Sequence, residues 1–277
     1  MIGLSLLLYP TVSEQWNKRH STQAITVYEQ ALQDSGGEER EKQLLLAEEY
    51  NRDLAQTGLV WNPGEAQLAR YNSTLNFIGD GMMGYIEIEK ISCRLPIYHG
   101  TSEGVLQTGV GHLEGSSLPV GGESTHCMLS GHRGLPSARL FTDLAELEEG
   151  DRFVLRVLDT VLTYEVDRIR TVLPNELDAL QIEPGEDLCT LITCTPYGIN
   201  SHRLLVRGRR VENDEQSEII RVSGDALPID PLIVAPIVAA PSLLVILALV
   251  LCSDVRKKRR ASALSRKETG DESQSTD

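Results

Sequence analysis

"TLITCTPYGINSHRLLVRG", residues 190–208, sets two apolar runs on either side of a short turn. The first run ends at Cys194, and Pro196, Tyr197, Gly198 and Asn200 supply the turn. If residues 204–206 pair antiparallel with residues 189–193, Arg203 enters its strand near the point where Cys194 leaves the other. The two side chains then share a cleft. Cys189 lies an odd number of residues from Cys194, so on one regular strand it faces the other way and reads as a core filler.

A cysteine nucleophile needs a proton acceptor, and imidazole is suited to that role near neutral pH. Six histidines are available: His20, His99, His112, His126, His132 and His202. His132 stands out because "CMLSGHRG", residues 127–134, repeats the arrangement at Cys194, an apolar strand running into a glycine-flanked loop. A guanidinium is no base at ordinary pH, but its planar donors can hold a substrate carbonyl or a developing oxyanion. Cysteine, histidine and arginine together point to acyl transfer through a thioester. On spacing alone, Arg203 reads first as a solvated strand-end charge, and His132 also as a surface or hydrogen-bonded loop histidine.

The wider chain limits the choices. Its 277 residues, 41% of them hydrophobic, suffice for one sizeable core with accessory segments. A net charge of -14 argues against a nucleic-acid partner, which requires clustered basic residues. The one dense basic run, "RKKRR" at 256–260, follows residues 231–252, a stretch without charge. As a helix that stretch would reach about 33 Å, enough to cross a bilayer, and the basic run then marks the cytoplasmic side. The expected layout is a catalytic domain outside the membrane, a linker at 213–230, a single C-terminal span at 231–252 and a cytoplasmic tail at 253–277. The apolar opening, "MIGLSLLLYP", is too short to span and reads as the remnant of a longer membrane segment or as a short buried strand; residues 1–19 are set apart on this basis.

Ile25, Tyr28 and Leu32, then Leu46, Tyr50 and Leu54, recur at helical spacing on either side of Gly36-Gly37, which predicts a helical extension over 20–81. From Gly84 the period becomes two. Ile86 and Ile88 alternate with Glu87 and Glu89, and Leu162, Tyr164 and Val166 alternate with Thr163, Glu165 and Asp167. This predicts a mostly β domain, sheet or barrel, over 82–212, interrupted by one helix at "SARLFTDLAELEEGD", residues 137–151.

Beyond these patterns, "TLITC" with Arg203 nine residues on and "GHRG" about sixty residues upstream resembles the sortase family of cell-surface transpeptidases of Gram-positive bacteria. "MGYIEIEKI", "LPIYHGTSEGVLQTGVGHLEGSSLPVGG" and "TCTPYGINSHRLLVRGRR" are similar to class C, the pilin-polymerising sortases. The resemblance implies a closed, mixed β-barrel, with Cys194 as nucleophile, His132 as acid and base, and Arg203 as carbonyl and oxyanion stabiliser. The implied substrates are pilins or surface proteins bearing an LPXTG-type sorting signal. Cleavage falls between Thr and Gly, and a lysine amine on the next pilin resolves the thioacyl enzyme. This chemistry uses neither cofactor nor metal. Thr193, beside the nucleophile, is a candidate for lining the substrate groove.

Class C members commonly carry an Asp-Pro-aromatic lid before the barrel. Here the corresponding region reads "TGLVWNPGEAQLARYN", so a lid near 58–66 rests on Trp61, Asn62 and Pro63, with Trp61 as the plug. Two alternatives stand beside the polymerase. One is a sortase that anchors single proteins to peptidoglycan. The other is a zinc module using His126, Cys127, His132, Cys189 and Cys194, whose spacing suits tetrahedral zinc poorly.

Overall fold

The computed structural model describes residues 2–213 apart from 136 and 137. Three helices come first: α1 (Ile2–Asp34), α2 (Gly37–Thr57) and α3 (Glu65–Ser73). They are followed by β1 (Met82–Ile88), β2 (Cys93–His99), α4 (Glu103–Thr108), β3 (Val110–His112), β4 (Thr125–Ser130), β5 (Arg152–Val157), β6 (Thr160–Val172), β7 (Asp187–Thr195) and β8 (His202–Val211). The strands close into a barrel in the order β1-β2-β3-β4-β7-β8-β6-β5. The pairs β2–β3 and β4–β7 run parallel and the rest antiparallel, so the barrel is closed and mixed.

The period-two pattern explains which side chains fill it. Ile86, Ile88, Leu162, Tyr164 and Val166 are all buried, joined inside by Cys189, Leu191, Leu204 and Val206. Gly208 has no room for a side chain: a Cβ there would stand 2.6 Å from the Phe153 ring.

Ile25, Tyr28 and Leu32 of α1 and Tyr50 and Leu54 of α2 are buried, and α1 packs on β1 and β2. Leu46 is exposed, and Ala47 takes the buried position in its place. Buried polar groups fix these helices in place. The Tyr28 hydroxyl donates to the Met83 carbonyl at 2.9 Å and accepts from the Leu158 amide at 2.9 Å. Asn51 Nδ2 donates to the Leu118 carbonyl at 3.0 Å while its Oδ1 accepts from the Leu118 amide. Each such contact leaves a buried peptide group satisfied that would otherwise be costly to desolvate.

Two expectations change. Residues 2–10 belong to α1, so the opening stretch is helical and forms no strand. Residues 138–151 form turns with a single short 3-10 turn at Leu144–Glu146, in place of the expected helix. Phe141, Leu144 and Leu147 are buried at a spacing of three, which imitates a helix in sequence. Leu140, at φ 40°, leaves the right-handed helical region, and the Phe141 amide is tied to the His132 carbonyl at 3.1 Å. Among the described residues no helix is long and apolar enough to cross a membrane, and the expected span at 231–252 lies outside them.

Candidate active site

Strand register brings the predicted residues together. β7 and β8 pair antiparallel with Cys194 directly opposite Arg203. β4 and β7 pair parallel with Ser130 opposite Ile192. His132 stands two residues past Ser130, as Cys194 stands two past Ile192, and the Gly131 amide extends the pairing by donating to the Ile192 carbonyl at 3.0 Å. Cys194 and Arg203 thus stand side by side on β7 and β8, with their backbones ~4.8 Å apart, and His132 lies in the loop that leaves β4, two residues past its last paired residue, completing the row.

Alternation places the row on the outer face. Cys189, Leu191 and Val206 point into the barrel. Ile192 and Leu205 point outward, and Cys194 and Arg203 share their parity. Cys194 is a free, half-buried thiol.

The loops around the row are tied to one another. Thr193 is buried, and its hydroxyl donates to the Gly131 carbonyl at 2.8 Å, holding the histidine loop to β7 from the inside. Its place is therefore behind the row, and it does not line the outer face. Arg133 Nη1 donates to Thr195 Oγ1 at 3.1 Å. Gly134, at φ 78°, lies against the Tyr197 ring, where a Cβ would come within 2.5 Å. In the turn after Cys194, Ile199 and Asn200 both donate to the Pro196 carbonyl. Asn200, at φ 59°, returns the chain to β8. Arg203 Nη1 donates to the Asn200 and His202 carbonyls at 3.2 and 3.1 Å. Both bonds come from one nitrogen of the five-donor guanidinium. His132 is 27% exposed; its Nε2 makes no hydrogen bond among the described residues and stands 3.6 Å from the Glu103 carboxylate. Glu103 carried no sequence signal, since α4 and the histidine loop meet only in the fold.

Beside the row lies an apolar patch of Met128, Leu180, Ile192 and Leu205, flanked by Leu113, Val172, Leu177 and Ala179. The β6–β7 connection that walls it is held by Arg207, which bonds Asp167 and Glu183, and by His126, whose Nδ1 meets the Gln181 carbonyl at 2.8 Å. The segment expected to form a lid crosses here. Leu59 packs on the patch, and the Val60 amide donates to the Gly115 carbonyl at 3.1 Å. Trp61 and Asn62 are exposed and Pro63 is half-buried, so the inserted side chain is Leu59, with Trp61 outside.

The remaining histidines have structural partners. His112 is fully buried, bonded through Nδ1 to the Tyr71 hydroxyl and through Nε2 to the Ser117 carbonyl. His126 Nε2 bonds Thr190 Oγ1 at 2.7 Å. The set suggested for zinc does not converge: Cys127 and Cys189 sit in the inner core while His126 bonds outward to the β6–β7 connection.

A family model described as the sortase domain matches residues 86–211. Among solved structures, sortase C1 from Streptococcus agalactiae is 53% identical with a TM-score of 0.68, covering 69% of this chain and all of that one. A Streptococcus pneumoniae sortase C, described with insights into catalysis and pilin substrate specificity, is 43% identical with a TM-score of 0.59, covering 69% of this chain and 97% of that one. Sortase D of Bacillus subtilis is 33% identical over 131 residues, 46% of this chain; the chain spans 63% of that relative's length.

Proposed function

This chain belongs to the sortase family, and from that premise we propose that it is a class C cysteine transpeptidase that joins pilin subunits. One observation carries the reading: the sortase-type cysteine and arginine face each other on β7 and β8, and the histidine lies in the loop leaving β4, the strand on the other side of β7. The Cys194 thiolate attacks the Thr carbonyl of an LPXTG-type signal laid along the outer face. Arg203 turns its guanidinium to the oxygen as negative charge develops there. His132 gives its proton to the departing Gly amine as the C–N bond breaks. A Cys194 thioester remains, and the neutral lysine amine of a second pilin attacks it; His132 takes the proton the amine loses, the C–S bond breaks, and an isopeptide bond forms as the thiolate is released.

The apolar patch at Met128, Ile192 and Leu205 adjoins the nucleophile and suits the apolar end of the signal. Leu59 covers that patch, so residues 58–63 act as a cover that must move for substrate to enter. In this reading residues 231–252 anchor the enzyme, with the barrel on the cell-wall side and "RKKRR" on the cytoplasmic side.

The test is incubation of the full chain with an LPXTG-type donor and a lysine-bearing pilin domain, with the products read by mass spectrometry. The expected product is a Thr-to-lysine isopeptide absent with Cys194→Ala. Transfer only to a peptidoglycan-type amine would replace the polymerase with an anchoring sortase. Products unaffected by Cys194→Ala would overturn the assignment.

A further inference from the structure

Of the three described cysteines outside the row, Cys93, Cys127 and Cys189, two are neighbours. Cys127 of β4 and Cys189 of β7 are direct register partners on parallel strands, both buried in the inner core and both free thiols. Register partners on neighbouring strands have Cα atoms about 4.8 Å apart, inside the ~4.4–6.8 Å window that a disulfide spans. Both side chains point into a closed barrel, which brings their ends toward each other.

We propose that Cys127 and Cys189 form a dithiol that oxidises to a disulfide, joining β4 covalently to β7. Each cysteine lies five residues before a residue of the row: Cys127 before His132 and Cys189 before Cys194. The bond would lock the parallel register on which the alignment of His132 with Cys194 depends.

Burial opposes ionisation of both. At Cys189 burial, reinforced by the adjacent Cys127 sulfur, holds the thiol well above its ordinary range. Either thiol can open the exchange; here Cys127 attacks first. With a low-molecular-weight disulfide as oxidant, Cys127 first forms a mixed disulfide and releases one small thiol. Cys189 then displaces the second, so the protein loses two hydrogens and two electrons while one oxidant molecule becomes two thiols.

The test uses the full chain carrying Cys194→Ala, which removes the thiol at the outer row. Reduced protein is treated with oxidised glutathione, both folded and during refolding from urea, so that slow access to a buried pair is not taken for inability to bridge. Non-reducing digestion and mass spectrometry should yield a Cys127–Cys189 peptide that dithiothreitol splits and that Cys189→Ala abolishes. The bridged chain should melt about 10 °C higher than the reduced one. Both thiols remaining fully alkylatable after both treatments would overturn the proposal, as would a bridge from Cys127 to Cys93.

Discussion

β7 and β8 present two faces of opposite character. Inward, Leu191, Leu204 and Val206 are close-packed, Gly208 is fixed by the Phe153 ring, and Thr193 spends its hydroxyl on the Gly131 carbonyl. Outward, the same strands carry the half-buried Cys194 and Arg203 and an apolar patch covered by Leu59. The inner face sets where the residues of the row stand, and Cys194 and Arg203 themselves add little to holding the barrel together, unlike Arg207 and the buried patch beside them. A substitution in the row should therefore remove chemistry while preserving the fold, and one inward should do the reverse.

The largest expected effect is outward. Cys194→Ala should abolish transpeptidation with an unchanged Tm, because no other exposed thiol stands in the row. Arg203→Ala should lower kcat by about 100- to 1,000-fold, the scale for losing an oxyanion donor. An equal fall in Tm would place Arg203 among the structural residues.

Inward, Leu191→Ala should cost roughly 2–5 kcal/mol in urea unfolding, because a packed barrel cannot close over the lost methyl groups. The activity of the molecules that remain folded should stay near normal. Thr193→Val tests the link between the faces. It leaves the Gly131 carbonyl unpaired at a cost of about 1–3 kcal/mol. It should also lower activity through the displaced histidine loop, and loss of stability with unchanged kcat would separate the two faces completely.

Leu59→Ser should speed alkylation of Cys194 severalfold by loosening the cover. An unchanged rate would remove the cover from the account.

The smallest effect is one of pH. Burial, the largest cause, holds His99 and His126 below the ordinary histidine value of 6.5. Both are therefore neutral in the fold, while the unfolded chain takes up their protons as pH falls through that value. Their contribution to stability is full above it and is lost below it. Tm should decline from pH 7 toward 5.5, with a shallower decline in His126→Gln. A flat profile would show that these imidazoles ionise freely in the fold.

Much of this was legible in the sequence, for local reasons. The alternation at Ile86 and Ile88 and at Leu162, Tyr164 and Val166 marks strands with one buried face, and a hairpin whose turn begins after Cys194 brings Arg203 opposite it. His132 was a candidate by motif alone, because its alignment with Cys194 depends on parallel pairing between strands far apart in the chain, which no short-range pattern encodes. The helix expected over residues 137–151 failed because Phe141, Leu144 and Leu147 keep helical spacing while descending a loop onto the core. Leu46 is exposed because the buried stripe of α2 runs through Ala47, Tyr50, Asn51 and Leu54, one position further along the helix. Trp61 stands where the resemblance implies a lid plug, yet it is Leu59 that packs against the outer patch.

The most direct test of the row as a catalytic unit is intact mass spectrometry of the full chain mixed with an LPXTG-type peptide in the absence of an amine acceptor. The account predicts a thioacyl adduct on Cys194 with the Gly-side peptide released, strongly diminished by His132→Ala or Arg203→Ala. Release of the Gly-side peptide with an acyl group on any other residue, or with none formed, would contradict it.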